Sequence, residues 1–149
     1  MDQLVINAQA HLVVKNGIEA IDFYKEAFQA VEQFRLIDPG DGRLGHAELL
    51  FGDTVVMLCD EYPDFGALSP ETLGGSPVTI HLATSSVDLL AARAVKAGAT
   101  ILRAPTDQGY GERTAHVLDP YGHKWVLDES IERVHPQEMQ RRWDEETSA

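Results

Sequence analysis

Thr114–Glu129, TAHVLDPYGHKWVLDE, reads as strand, tight turn, strand. Asp119-Pro120-Tyr121-Gly122 supplies the turn, because proline presets φ at one corner and glycine relieves the other. Thr114–Leu118 and His123–Leu127 are rich in β-branched and aromatic residues, as strands are. The same plan recurs earlier, where HAELLF (46–51), a Gly52-Asp53 turn and TVVMLCDE (54–61) form another hairpin. Each hairpin ends in Asp-Glu, at Asp60-Glu61 and Asp128-Glu129. The chain is therefore read as an internal duplication.

Working outward, Gln3–Val14 contains an apolar-rich strand whose alternation puts Gln9, His11 and Val13 on one face. Asn16 is placed as a helix N-cap with Glu19 as its capping-box partner. Ile18, Ile21, Tyr24, Phe28 and Val31 then recur at helical spacing. A strand over Glu32–Ile37 ends at the breaker Asp38-Pro39-Gly40-Asp41-Gly42. The first half, residues 7–61, is β-α-β-β-β. Residues 62–77, rich in Gly, Pro and Ser, read as a linker between halves. The second half, 78–129, repeats the plan. Ile80-His81-Leu82 echoes Ala10-His11-Leu12, Ser85 and Asp88 open a helix that Gly98 stops, and Thr100–Arg103 is a short strand followed by a loop over Ala104–Glu112. In the polar tail, 130–149, a helix starts at Pro136, and Gln140–Ala149 is expected to fray.

The 149 residues suit one domain of two halves. A formal net charge of −12 argues against nucleic acid or an anionic membrane as partner, since both require a basic surface. The single cysteine, Cys59, excludes an intrachain disulfide and a multi-cysteine zinc site, and fits a reducing cytoplasm. Nothing near the N-terminus resembles a signal peptide, and no apolar run is long enough to span a bilayer.

Two β-α-β-β-β units, IDFYKEAF (21–28) in the first helix and DPYGHKW (119–125) before the last strand together resemble the vicinal oxygen chelate superfamily. That group includes glyoxalase I, extradiol dioxygenases and the fosfomycin and bleomycin resistance proteins. The GYGERTAHVLDPYGHKW run (109–125) and HPQEM (135–139) are similar to its phosphonate-operon or glyoxalase-like branch. The resemblance implies an α+β fold: two tandem βαβββ modules forming a curled eight-stranded mixed sheet around a shared cavity, with helices outside. It also implies a small-molecule ligand and a homodimer. Fold alone does not give the chemistry.

In metal-dependent members of the group, each half supplies two ligands, one from its first strand and one from its last. Carried onto this chain, the four positions are Gln9, Met57, Thr79 and Val126, none of them His, Asp or Glu. Met and Val offer nothing suited to zinc or iron(II). A slip of two residues, which keeps the strand face, would bring in His11 and His81 instead. The first expectation is thus a pocket without cofactor that takes an apolar or anionic compound. Met57, Cys59, Val13 and Val126 would line it, and Gln9, Thr79, His11, His81 and Arg113 would orient the ligand. The alternative is a lyase, isomerase or dioxygenase holding zinc, nickel, manganese or iron on His11, Glu48 and His81.

His11 and His81 occupy matching places in the halves, and two readings stand for them: a catalytic acid/base pair, or hydrogen-bonded histidines at the seam. His46 and Glu48 alternate onto one face, which either joins a pocket or is solvated. Arg113 either clamps a carboxylate or phosphate or pairs with a nearby acid, and Tyr110 either stacks on a ligand or covers the core. His116 and His123 read as structural and surface residues, and Trp125 as a side chain packed under a helix.

Overall fold

The computed structural model describes residues 1–148. The chain divides into two units: Met1–Pro77 together with Pro120–His123, and Val78–Asp119 together with residues from Lys124 onward. The eight strands form two four-stranded mixed sheets, one per β-α-β-β-β module, and the architecture is α+β.

In the first unit β1 (His11–Val14), β2 (Val31–Ile37), β3 (Leu44–Phe51) and β4 (Thr54–Asp60) pair in the order β1-β4-β3-β2. β1 runs parallel to β4, and the other pairs are antiparallel. The parallel pair needs a crossover, and α1 (Gly17–Phe28) heads the connection that supplies it. Ile21, Tyr24 and Phe28 are buried on its inner side, and Leu12, Val14, Ala47, Leu49, Val56 and Leu58 are the buried residues of the sheet. Tyr24 packs among the rings of Phe23, Phe28, Phe51 and Tyr121 at centroid separations of 5.3, 6.3, 5.9 and 6.2 Å. A buried ring of this kind contributes on the order of 2–3 kcal/mol.

The start of α1 differs from the expected cap. Asn16 sits at φ 98°, and its side chain donates to Glu19 Oε2 at 2.6 Å instead of capping the helix. The carboxylate of Asp60, at the end of β4, takes over: Oδ1 accepts the N–H groups of Asn16 and Gly17 at 2.9 and 2.6 Å. The first strand is also shorter than expected. Residues 1–10 form no strand, and β1 begins at His11. Residues 62–77 carry a 3-10 turn, Pro63–Phe65, and a short helix α2, Pro70–Leu73, whose cap Ser69 Oγ accepts the Thr72 N–H at 3.4 Å.

In the second unit β5 (Thr79–Ala83), β6 (Thr100–Asp107), β7 (Glu112–Leu118) and β8 (Lys124–Ser130) pair in the order β5-β8-β7-β6, with α3 (Val87–Ala97) crossing over. Ser86, not Ser85, caps α3, accepting the Leu89 N–H at 3.2 Å. Glu129 Oε1 accepts the Val87 N–H at 2.9 Å, so a carboxylate from the last strand holds this helix start too. Trp125, Leu127, Val117 and Ala115 are fully buried, and Trp125 Nε1 donates to Asp119 Oδ2 at 2.9 Å. β6 runs on to Asp107 through the expected loop. It is an edge strand with register shifts around Arg103, where Pro105 removes no ladder bond that the sheet requires.

The tail forms α4 (Pro136–Thr147) rather than fraying after Gln140. Arg141 and Arg142 bind Glu138 at 2.8 and 3.1 Å, and Arg142 also reaches Glu132 at 2.9 Å. These pairs run along one helix face and tie the helix to the end of β8. Among the described residues no helix is long and apolar enough to cross a membrane.

Candidate functional site

Side chains paired across neighbouring strands share a sheet face. In the first unit that rule draws one row across the whole sheet: His11 opposite Met57, Met57 opposite Glu48, Glu48 opposite Phe34. The second unit draws the corresponding row: His81 opposite Val126, Val126 opposite His116, His116 opposite Arg103. At the usual strand spacing each row spans roughly 14 Å. Leu12 and Leu58, or Trp125 and Leu127, alternate to the other, buried face, so the rows occupy the face left open in each unit.

The duplicated register makes His11 equivalent to His81 and Met57 equivalent to Val126. The first-strand residues across from Met57 and Val126 are thus the two histidines. Gln9 precedes β1 and is exposed, outside the row. Thr79 lies on the same face as His81, one step away, opposite Lys124.

On the first unit's open face, His46 Nε2 donates to Glu48 Oε2 at 3.0 Å. The His46 ring lies edge-on to His11, with centroids 5.9 Å apart, and 5.9 Å from Phe34. Burial, and then the neighbouring His46, hold the His11 imidazole below the ordinary histidine range. His11 is therefore neutral at pH 7, able to donate or accept one hydrogen bond beside the thioether of Met57. Cys59, opposite Val13, is buried; burial and the Asp60 carboxylate push its thiol up, so it is a neutral apolar group and not a nucleophile.

On the second unit's open face, His81 Nδ1 donates to Asp128 Oδ2 at 3.0 Å. The carboxylate is largely sheltered, with 15% of its side chain exposed against 62% for the imidazole. That bond fixes the tautomer, leaving Nε2 as the free nitrogen. His116 is held below the ordinary histidine range by burial, then by Arg103, then by His81. Among the described residues no acid is bonded to the Arg103 guanidinium, whereas Arg113, Arg141 and Arg142 each bind two carboxylates. Val126, between the histidines, is buried and supplies an apolar floor.

Arg113 does not join this face. It shares the helix-covered side with Ala115 and Val117, and its guanidinium is held by Asp88 at 3.0 Å and Asp107 at 2.9 Å. A clamp already closed on two carboxylates has no fork to offer a ligand. Tyr110 lies elsewhere again, in the turn after β6, where it lines a groove against α4. His123 is half-buried, with Nε2 donating to the Val13 carbonyl at 2.9 Å, and so is not a surface residue.

Sequence reasoning set His116 aside and gave Asp128 and Arg103 no role in the primary site. The signal was available: the hairpin register counted back from Leu118–Lys124 sets His116 opposite Val126. Among the described residues no group of three or more His, Cys, Asp or Glu is arranged to hold a metal ion. Next to each first-strand histidine stands Met57 or Val126 where an oxygen donor would be needed, and Glu48 is turned to His46.

Comparison with known proteins agrees with this architecture. An uncharacterized protein of Mycobacterium tuberculosis is 43% identical over 93% of this chain and 85% of its own length. The X-ray structure of an Arabidopsis thaliana gene product superposes with a TM-score of 0.66 at 26% identity, covering 83% of this chain and 98% of that one. The fosfomycin resistance protein FosX of Listeria monocytogenes, crystallised with Mn(II) and sulfate, superposes with a TM-score of 0.65 at 17% identity, covering 95% of this chain and 99% of that one, a likeness of fold. The family model of the Glyoxalase/Bleomycin resistance protein/Dioxygenase superfamily matches residues 5–127, and the chain belongs to that superfamily.

Proposed function

We propose that this protein binds a small organic anion with an apolar body on the open face of its second unit, without a divalent metal, and that His81 acts there as an acid/base group. The observation that carries the reading is the His81–Asp128 pair at 3.0 Å, in line with Val126, His116 and Arg103. Asp128 accepts the Nδ1–H and orients the imidazole, so that Nε2 faces a bound molecule as the nitrogen able to take and return a proton. Arg103, with no acid of its own, supplies the countercharge, and neutral His116 a hydrogen bond. Val126 excludes water beneath the ligand. In the first unit, His11, Met57 and Phe34 offer a more apolar surface, with the neutral His11 imidazole beside the His46–Glu48 pair.

The donor set around the two first-strand histidines does not fit the divalent ion used by metal-dependent relatives. A thioether and a hydrocarbon beside the two first-strand histidines support that reading. Sequestration and turnover use the same contacts and differ only in whether His81 moves a proton. We further propose a homodimer, supported by the exposed apolar residues Val31, Phe34 and Leu36 of edge strand β2, and a cytoplasmic location, supported by a lone, buried, unpaired Cys59.

Calorimetric titration with phenylphosphonate and benzoate, beside neutral benzyl alcohol, tests the reading. Saturable binding of an anion, weakened about tenfold or more in Arg103→Ala, is expected for the loss of a charge-assisted hydrogen bond. Equal binding of the neutral probe, or an unchanged affinity in Arg103→Ala, overturns it.

A further inference from the structure

A second site lies away from the histidine rows. The turn Gln108–Gly111 and helix α4 enclose a groove of about 300 Å³ in the second unit, lined by Tyr110, Pro136, Met139, Arg142, Trp143 and Glu146 among others. That volume is at the lower end of the range for small-molecule pockets. Nothing in the proposed acid/base chemistry uses it.

Its lining has an unusual balance. Trp143 is 60% exposed and Tyr110 42%, both facing a cleft that also holds a thioether and a proline ring. Two aromatic faces left open to water on a chain with a net charge of −12 are costly unless something covers them. The one cation in the lining is spent: Arg142 donates to the Gly109 carbonyl at 2.8 Å, to Glu132 at 2.9 Å and to Glu138 at 3.1 Å. The acid is not. Glu146 lies against Gly109, its Oε1 only 2.7 Å from where a Cβ would stand there, and among the described residues no hydrogen bond or ion pair engages its carboxylate. Gly109 is thus what lets Glu146 lie against the turn at the groove wall.

A site of two π faces, a polarizable sulfur and one uncommitted carboxylate, with its arginine neutralised, has the chemistry of a receptor for an organic cation. We infer that the α4 groove binds a small ammonium or quaternary ammonium compound with an apolar body, the charge set over Trp143 and Tyr110 and facing Glu146. An anion is disfavoured by Glu146, and a purely apolar ligand leaves that carboxylate desolvated for no gain. This site differs from the anion site in unit face, charge and residues, so each stands or falls separately.

The test is calorimetric titration of the full chain with benzyltrimethylammonium, beside benzyl alcohol and benzoate. Saturable binding of the cation, at least about fivefold tighter than either other probe, is expected from a cation–π contact. Glu146→Gln, an exposed change that leaves the fold intact by circular dichroism, weakens it about threefold. Trp143→Leu weakens it about fivefold or more. In the unaltered protein, cation binding changes the emission of exposed Trp143, a response lost in Trp143→Phe, in which only buried Trp125 remains. Absence of saturable binding, equal affinity for benzyl alcohol, or an affinity untouched by both Glu146→Gln and Trp143→Leu overturns the inference.

Discussion

Asp60 Oδ1 accepts the backbone N–H of Gly17 at 2.6 Å, so the last residue of β4 closes the first turn of α1. The same carboxylate accepts the N–H of Asn16 at 2.9 Å and, through Oδ2, that of Leu44 at 2.7 Å. One side chain thus joins a helix start and two strands. Asp60→Ala leaves three donors without their acceptor and is expected to lower unfolding stability by about 2–4 kcal/mol. Urea denaturation measures it; a loss under about 0.5 kcal/mol, the size of a typical neutral surface substitution, would show that water replaces the cap.

Gly122, at φ 94° in the hairpin turn, is a second fixed point. A Cβ there would stand 2.7 Å from Pro70 Cβ. Gly122→Ala combines left-handed strain with a clash and is expected to cost about 2 kcal/mol or more. A melting temperature equal to that of the unaltered protein contradicts this.

The low position of the His116 imidazole makes stability depend on pH. Its folded value lies below the usual 6.5, so the unfolded chain takes up the proton first. The contribution is full above pH 6.5, falls as the pH drops below that value, and levels off beneath the folded value. His11 acts in the same direction. Denaturation midpoints measured from pH 8 down to pH 5 are expected to fall, and to fall less in His116→Gln.

Arg113→Ala is expected to leave the affinity for an organic anion unchanged and to lower the melting temperature slightly, since its partners Asp88 and Asp107 are exposed. A large loss of affinity would return Arg113 to the ligand site.

Titration of tag-free protein with zinc, nickel, manganese and iron(II) is expected to find no stoichiometric ion. His11→Ala, Glu48→Gln and His81→Ala then leave metal content unchanged. A bound ion lost in any of the three restores the metal-dependent alternative.

The repeat was legible because both hairpins carry turn residues at fixed offsets and both helices carry an apolar stripe. The Asp-Glu signature was legible but misleading. Aligned by strand register, Asp60 matches Glu129, each at a helix start, and Cys59 matches Asp128. Sequence spacing pairs like with like; hydrogen-bond register shifts the match by one residue. The stretch after Arg103 read as a loop, whereas β6 continues through Pro105 because a proline is tolerated at a sheet edge, and the edge is a property of the assembled sheet. The charged tail read as frayed, although Glu138, Arg141, Arg142 and Glu145 already stand at helical ion-pair spacing; what spacing does not reveal is the Arg142–Glu132 pair that ties α4 to the chain before it. For Arg113 the sequence left a ligand clamp and an ion pair open, because Asp88 is distant in sequence and Asp107 lies across a turn.

The exchange of an acid for a thiol at that shared register position sets the two imidazoles apart. His81 has a neighbour that dictates which nitrogen is bare. His11 has only Cys59 there, so its proton is free to sit on either side of the ring. A folded repeat built from one plan has in this way become asymmetric: among the described residues, the first-strand histidine of the second unit is anchored by a carboxylate, and that of the first unit is not.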